Sequence, residues 1–219
     1  MVRKRLVPQI LVRSGGAVKG TQFARYLRVG RPALLARIFE AQGAHELMVM
    51  EIDSNLRSLM KVVDELAGEL SIPLVAGGGI HLAREALAVI RAGADGVALG
   101  EPTVRLCQEV ESAVGVQAIT ASVDYKGRST RKGRNLDQYI STLRDHVGEI
   151  LLTCIEREGT GLGLDIKTLF RLRPLIHCPL LVGGGAGSPA DIQRALTMAD
   201  GVVIGHLLAF TDQSYPQLL

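Results

Sequence analysis

Along this chain, short apolar runs alternate with longer stretches in which apolar residues recur every three or four positions. The first kind reads as buried strands and the second as amphipathic helices. Strands are expected at 5–12, 46–52, 72–76, 96–99, 116–123, 149–154, 179–182 and 201–204. Helices are expected at 31–41, from 53 through Leu70, from 80 to near Gly93, and at 103–113, 136–147, 165–175 and 189–198. Gly43 is placed as a C-cap, and Ser188 as an N-cap ahead of Pro189. Segment 13–20, RSGGAVKG, reads as the loop after the first strand. Eight strands alternating with helices, with no linker or low-complexity stretch between them, predict a (β/α)8 TIM barrel, one domain over 1–219. Only fourteen residues follow Gly205, so the last helix is expected to be short or frayed. The competing architecture is an open doubly wound sheet.

An internal echo favours the barrel. PLVAGGGI at 73–80 recurs as PLLVGGGAG at 179–187, and GADGVALG at 93–100 recurs as TMADGVVIG at 197–205. Asp95 and Asp200 lie 105 positions apart, roughly half the chain. The pattern is that of two half-barrels, and an open sheet would leave it unexplained.

The 219 residues suffice for a sizeable core, with 47% hydrophobic and only 4% aromatic residues and no Trp. Such a core is aliphatic, as in parallel strands covered by helices. The formal charge of +3 is too mild to point to nucleic acid, and it suits an anionic small molecule. Cys107, Cys154 and Cys178 lack metal spacing and the five His form no cluster, so the expectation is a reducing cytoplasm with no metal or other cofactor. No run reaches membrane-spanning length.

In a barrel of this kind the working face is at the carboxyl ends of the strands, where glycine amides often hold phosphate. Gly183, Gly184, Gly185 and Gly187 follow the seventh strand and Gly205 the eighth. Gly77, Gly78, Gly79 and Gly100 are their counterparts in the other half. Two opposed cradles imply a substrate phosphorylated at both ends; the alternative is that these glycines only make tight turns. The loop KGRSTRKGR at 126–134 packs five basic residues on the same face. It reads as a solvated mobile loop or as a lid whose cations close over phosphate, with nucleic acid ranked third for want of interleaved aromatics. Cys154 reads as a small buried hydrophobe.

VKG at 18–20, VAGGGI at 75–80, GAD at 93–95, EILLT at 149–153, EREGT at 156–160 and GGGAG at 183–187 together resemble the cyclase subunit of imidazole glycerol phosphate synthase, a HisF-like family. Its sister, the phosphoribosyl isomerase of the same pathway, shares the doubled barrel, but EILLT followed by EREGT favours the cyclase. The resemblance implies a lyase of histidine biosynthesis, or of a related pathway. Such an enzyme takes ammonia from a glutaminase partner and closes an imidazole ring on a ribulosyl substrate with two phosphates. It implies Asp124, at the end of strand five, as one of two catalytic carboxylates, with Lys19 reaching toward substrate. Gly79, Gly100, Thr153, Gly159, Gly184, Gly185, Gly205 and His206 would bind substrate or phosphate. Arg5, Glu46 and Glu149 would belong to a charged ring gating ammonia at the amino end, although a structural salt bridge explains those three equally well.

The sequence departs from that pattern at specific places. Leu11 stands where the family's strand-one aspartate is expected, and leucine transfers no proton. Gly100 and Glu101 replace an Asn–Thr pair, His206 replaces a serine, and Gly96 replaces the ring's lysine. Asp53, after strand two, is the nearby carboxylate that could take over the lost role. The alternative reading is a barrel that binds phosphate ligands or a glutaminase and has lost turnover.

Overall fold

The computed structural model describes residues 4–205 together with Leu208 and Leu218. Eight parallel strands close into a barrel: β1 (Arg5–Arg13), β4 (Leu47–Glu51), β5 (Leu74–Gly77), β6 (Gly96–Gly100), β7 (Ile119–Lys126), β9 (Glu149–Cys154), β10 (Leu180–Gly183) and β11 (Gly201–Ile204). The closing pair is β11 with β1, Arg5 opposite Gly201 through Pro8 opposite Ile204. Pro8 lies where β1 stops pairing with β11 and, at Gln9, begins pairing with β4. Its missing N–H therefore interrupts the ladder at a natural handover. The helices are α1 (Pro32–Ala41), α2 (Leu56–Ala67), α3 (Ala83–Arg91), α4 (Val104–Val114), α5 (Leu136–Leu143), α6 (Ile166–Leu172) and α7 (Pro189–Leu196).

Strand alternation sorts side chains into two cores. Leu6, Ile10, Leu47, Val49, Leu74, Val97, Ile119, Ile150, Leu180 and Val202 point outward into the layer shared with the helices. Val7, Met48, Leu151, Leu181 and Val203 point inward and form a separate cluster on the barrel axis. This is the layered packing expected of a filled barrel. Ser188 caps α7 as its side chain accepts from the Asp191 amide at 3.2 Å, with Pro189 opening the helix. Asn55, Thr103, Asn135 and Asp165 cap α2, α4, α5 and α6 likewise.

The doubled pattern has a physical counterpart. Asp95 Oδ2 accepts from the Leu74 amide at 2.8 Å, and Asp200 Oδ2 accepts from the Leu180 amide at 2.9 Å. The same two aspartates return their own amides to the Leu74 and Leu180 carbonyls, both at 2.8 Å. At the other end of these strands, Gly78 (φ +108°) lies against the Glu51 carbonyl and Gly184 (φ +85°) against the Cys154 carbonyl. A β-carbon at Gly184 would stand 2.6 Å from that oxygen, so side chains are excluded by close approach as well as by φ.

Several expectations need correction. Segment 13–20 is not a loop: β2 (Gly16–Thr21) and β3 (Ala24–Gly30) form an antiparallel hairpin added to β1. Strand five begins at Ile119, behind a 3-10 turn at Val116–Ala118, and a second such turn, Arg173–Leu175, ends the segment after α6. The expected short last helix lies outside the described residues.

Replacing Asp200 with Ala strands the buried Leu180 amide and is expected to cost about 1.5–3 kcal/mol, the range for a hydrogen bond to a charged group. Urea unfolding measures it, and a loss under about 0.5 kcal/mol would contradict the clamp.

Candidate functional site

At the carboxyl ends of the strands lies a cavity of about 440 Å³, lined by Gln9, Leu11, Gly78, Gly79, Gly100, Asp124, Arg131, Thr153 and Glu158 among others. Alternation puts these residues there. Gln9 and Leu11 follow Arg5 and Val7 on the inward face of β1, Ser122 and Asp124 follow Thr120 on β7, and Thr153 follows Leu151 on β9. A smaller recess of about 30 Å³ adjoins it, lined by Lys19, Glu158, Gly159, Gly184, Gly185 and Gly205 together with Gln9 and Thr153. The two glycine turns thus open on neighbouring cavities that share Gln9, Thr153 and Glu158, one turn in each half.

Asp124 sits at the end of β7. Burial penalises its charged form and pushes its pKa up to about 7; Arg131 draws it down, while Glu101 and Glu158 push it further up. Lys19 is on β2, not on a loop, and is 5% exposed. Burial lowers its pKa to about 8, with Glu158 acting in the opposite sense. Its Nζ lies against Gly205 and donates to the Gln9 carbonyl at 3.4 Å. A buried ammonium facing the glycine turn of the second half is well placed to meet an anion. Glu158 is raised by burial and drawn back by the Phe23 amide, Lys19 and the Gln22 amide.

The basic loop is held in place. Lys132 donates its amide to the Glu101 carboxylate at 3.1 and 3.4 Å and its Nζ to the Gly100 and Glu101 carbonyls at 3.2 and 3.3 Å. Arg128 pairs with Asp137, and Arg134 stacks on Tyr139 at 4.9 Å. Arg131 packs over the Phe23 ring at 5.5 Å and reaches the cavity wall. Glu101 therefore anchors the loop rather than merely adding charge to the cradle. Gly100 borders the cavity with open space on the side where a β-carbon would stand.

Asp53 does not fill the place of a second carboxylate, since it is exposed and paired with Arg13 at 3.0 Å, away from the cavity wall. His206 lies outside the described residues. At the amino end, Arg5 donates to Glu46 at 3.0 Å and to Glu149, while Thr120 donates to the other Glu149 oxygen at 3.4 Å. One guanidinium thus bridges two carboxylates at the barrel base.

The histidine biosynthesis protein family profile matches residues 5–214. The chain is 31% identical to the imidazole glycerol phosphate synthase subunit HisF of Alkaliphilus metalliredigens. It is 32% identical to that of Halalkalibacterium halodurans and 30% to that of Geobacillus kaustophilus. In all three, the alignment covers 100% of this chain and 95% of the relative. The chain belongs to the HisF family.

Against the HisF expectation, Asp124, Lys19, Thr153, Gly79, Gly100, Gly159, Gly184, Gly185 and Gly205 all line the joined cavities. Arg5, Glu46 and Glu149 meet as a group at the opposite end. Missed from the sequence were Gln9, the aromatic pair Phe23 and Tyr26, Arg131 as a cavity residue, and Glu158. The hairpin was legible in principle, since Tyr26, Leu27 and Val29 in ARYLRVG have strand-forming character, but the glycines at 15, 16 and 20 masked it. Glu158 was in view inside EREGT without a place in space. Among the described residues no group of His, Cys, Asp and Glu could hold a metal ion, and no helix is long and apolar enough to cross a membrane.

Because the folded-state pKa of Asp124 lies above its ordinary value of 3.8, the native state holds a proton that the unfolded state has lost between about pH 4 and pH 7. Stability therefore falls as pH rises through that window and is lowest, in this respect, above 7. Asp124→Asn is expected to melt higher than wild type at pH 8, by about 2–4 °C per kcal/mol recovered, with the gap closing by pH 4. Melting curves at both pH values check it, and an equal or lower melting temperature at pH 8 would contradict the assigned burial.

Proposed function

We propose that this chain is a cyclase of the imidazole glycerol phosphate synthase type. It uses ammonia from a glutaminase to close an imidazole ring on a ribulosyl substrate with a phosphate at each end. The observation that carries the reading is Asp124, with its pKa pushed up to about 7, in the cavity that the Gly78–Gly79 turn borders, next to a recess that the Gly184–Gly185 turn borders. A carboxyl group that titrates near 7 can both give and take a proton at physiological pH. Lys19 supplies positive charge beside the second-half turn, and Arg131 and Lys132 supply it on the side of the first. Both ends of a bisphosphate would thus meet glycine backbone and a cation. At the amino end, the Arg5–Glu46–Glu149 group is the place for ammonia to enter and for a glutaminase to dock.

A second reading, a barrel that binds phosphate ligands without turnover, is favoured by Leu11, whose apolar side chain borders the cavity at the position of the strand-one acid.

Incubating the purified protein with the ribulosyl precursor and ammonium salts is expected to yield imidazole glycerol phosphate. Asp124→Asn is expected to lower kcat by about 100-fold to 10,000-fold. Absence of product from wild type, with heat protection by inorganic phosphate, would overturn the first reading in favour of the second.

A further inference from the structure

Ring closure with ammonia moves protons between nitrogen and oxygen, which calls for two groups that exchange them. Leu11 removes one. Four other carboxylates stand in or near the mouth, and their contacts separate them. Glu101 is committed to the Lys132 amide. Glu51 follows Val49 on the outward face of β4, with its Oε2 receiving the Asn55 amide at 2.7 Å. Asp53 is outside, on Arg13. Glu158 differs: the Phe23 amide donates a long 3.4 Å bond to its Oε2, and its side chain borders the large cavity with Asp124 as well as the small recess with Lys19. Its backbone is fixed independently, because the Gln22 amide donates to its carbonyl at 2.9 Å and its own amide donates to the Cys154 carbonyl at 2.9 Å. The carboxylate is thus held at the junction of the two cavities, with the long Phe23 bond on its Oε2.

We propose that Glu158 is the second proton-transfer group of this site, working opposite Asp124 in place of the strand-one carboxylate that Leu11 cannot supply. This rests on the cyclase reading above. The ammonia lone pair forms the C–N bond to the ketone carbon as the carbonyl π pair moves onto oxygen. The Glu158 carboxylate takes a proton from nitrogen, and protonated Asp124 gives one to oxygen. In the dehydration that follows, Glu158 returns its proton to the departing hydroxyl, which leaves as water with the C–O pair. Asp124 takes a second proton from nitrogen as the C=N bond forms. One ammonia enters, one water leaves, and both carboxyl groups end as they began. Burial raises the pKa of both groups, that of Asp124 to about 7. Lys19 borders the same recess as Glu158, and its charge draws the carboxyl back toward its ordinary value.

The test compares wild type, Glu158→Gln and Glu158→Asp in the ammonium-dependent cyclase assay across pH. Glutamine keeps an acceptor for the Phe23 amide, so the hairpin contact survives while proton transfer does not. Glu158→Gln is expected to lower kcat at least tenfold with KM for the ribulosyl substrate within threefold, and to remove one limb of the pH profile. Glu158→Asp, which still titrates, is expected to retain more kcat than the Gln variant. A Gln variant within tenfold of wild-type kcat, or equal losses in the Gln and Asp variants, would overturn the proposal while leaving the cyclase reading intact. Wild type without turnover would instead remove the cyclase reading itself, and this proposal with it. Should the Gln variant fail to fold, Glu158→Ala is read by the same criteria.

Discussion

The arrangement depends on a constraint applied twice, at both ends of β5 and β10. At the amino end, Asp95 and Asp200 accept from the first amides of these strands at 2.8 and 2.9 Å, fixing their register against β6 and β11. At the carboxyl end, Gly78 and Gly184 let the chain pass so close to the Glu51 and Cys154 carbonyls that no β-carbon fits. Between the two, each strand is only four residues long, Leu74–Gly77 and Leu180–Gly183. With so short a strand pinned at both ends, the position of the turn beyond it is set by the barrel rather than by the turn itself. The glycines make close packing possible, and their backbone borders the cavities.

That constraint shapes the cavity as well as its rim. Inward positions near the top of the barrel are small or polar on the β5–β7 side, with Gly77, Ala98, Gly100 and Ser122, while Val7, Met48, Leu151, Leu181 and Val203 fill the axis below. The floor is apolar and the mouth is wide. Asp124, Glu158 and Lys19 enter this space from three different elements, and partial burial moves their pKa values toward one another: the carboxyls rise and the amine falls. Shifted titratable groups gathered in one cleft are what acid–base chemistry needs. The hairpin of β2 and β3 completes the site by delivering Lys19, Phe23 and Tyr26, and Arg131 from the loop after β7 packs over the Phe23 ring at 5.5 Å.

Much of this is legible in the sequence. Short apolar runs located all eight barrel strands, because buried parallel strands carry continuous aliphatic stretches. The repeat located both glycine turns, and the family motifs located Asp124, Lys19 and the Arg5–Glu46–Glu149 group. What escaped has identifiable physical causes. The hairpin is mostly solvent-facing on β3, so its alternation is weak and its glycines read as loop. The basic loop looked mobile because its anchors, Glu101 and the Gly100 carbonyl, lie about thirty residues away in sequence. Asp53 and Glu158 could not be ranked as carboxylates until one was found on an exposed arginine and the other at the meeting of two cavities.

The central claim is that the two halves present equivalent anion-binding turns across one mouth. Anomalous diffraction from crystals soaked in tungstate, a tetrahedral dianion, tests it most directly. The account predicts tungsten peaks at both turns, one within hydrogen-bonding reach of the Gly78–Gly79 backbone and the other of the Gly184–Gly185 backbone. Peaks at one turn only, at neither, or solely on surface lysine and arginine side chains would contradict it.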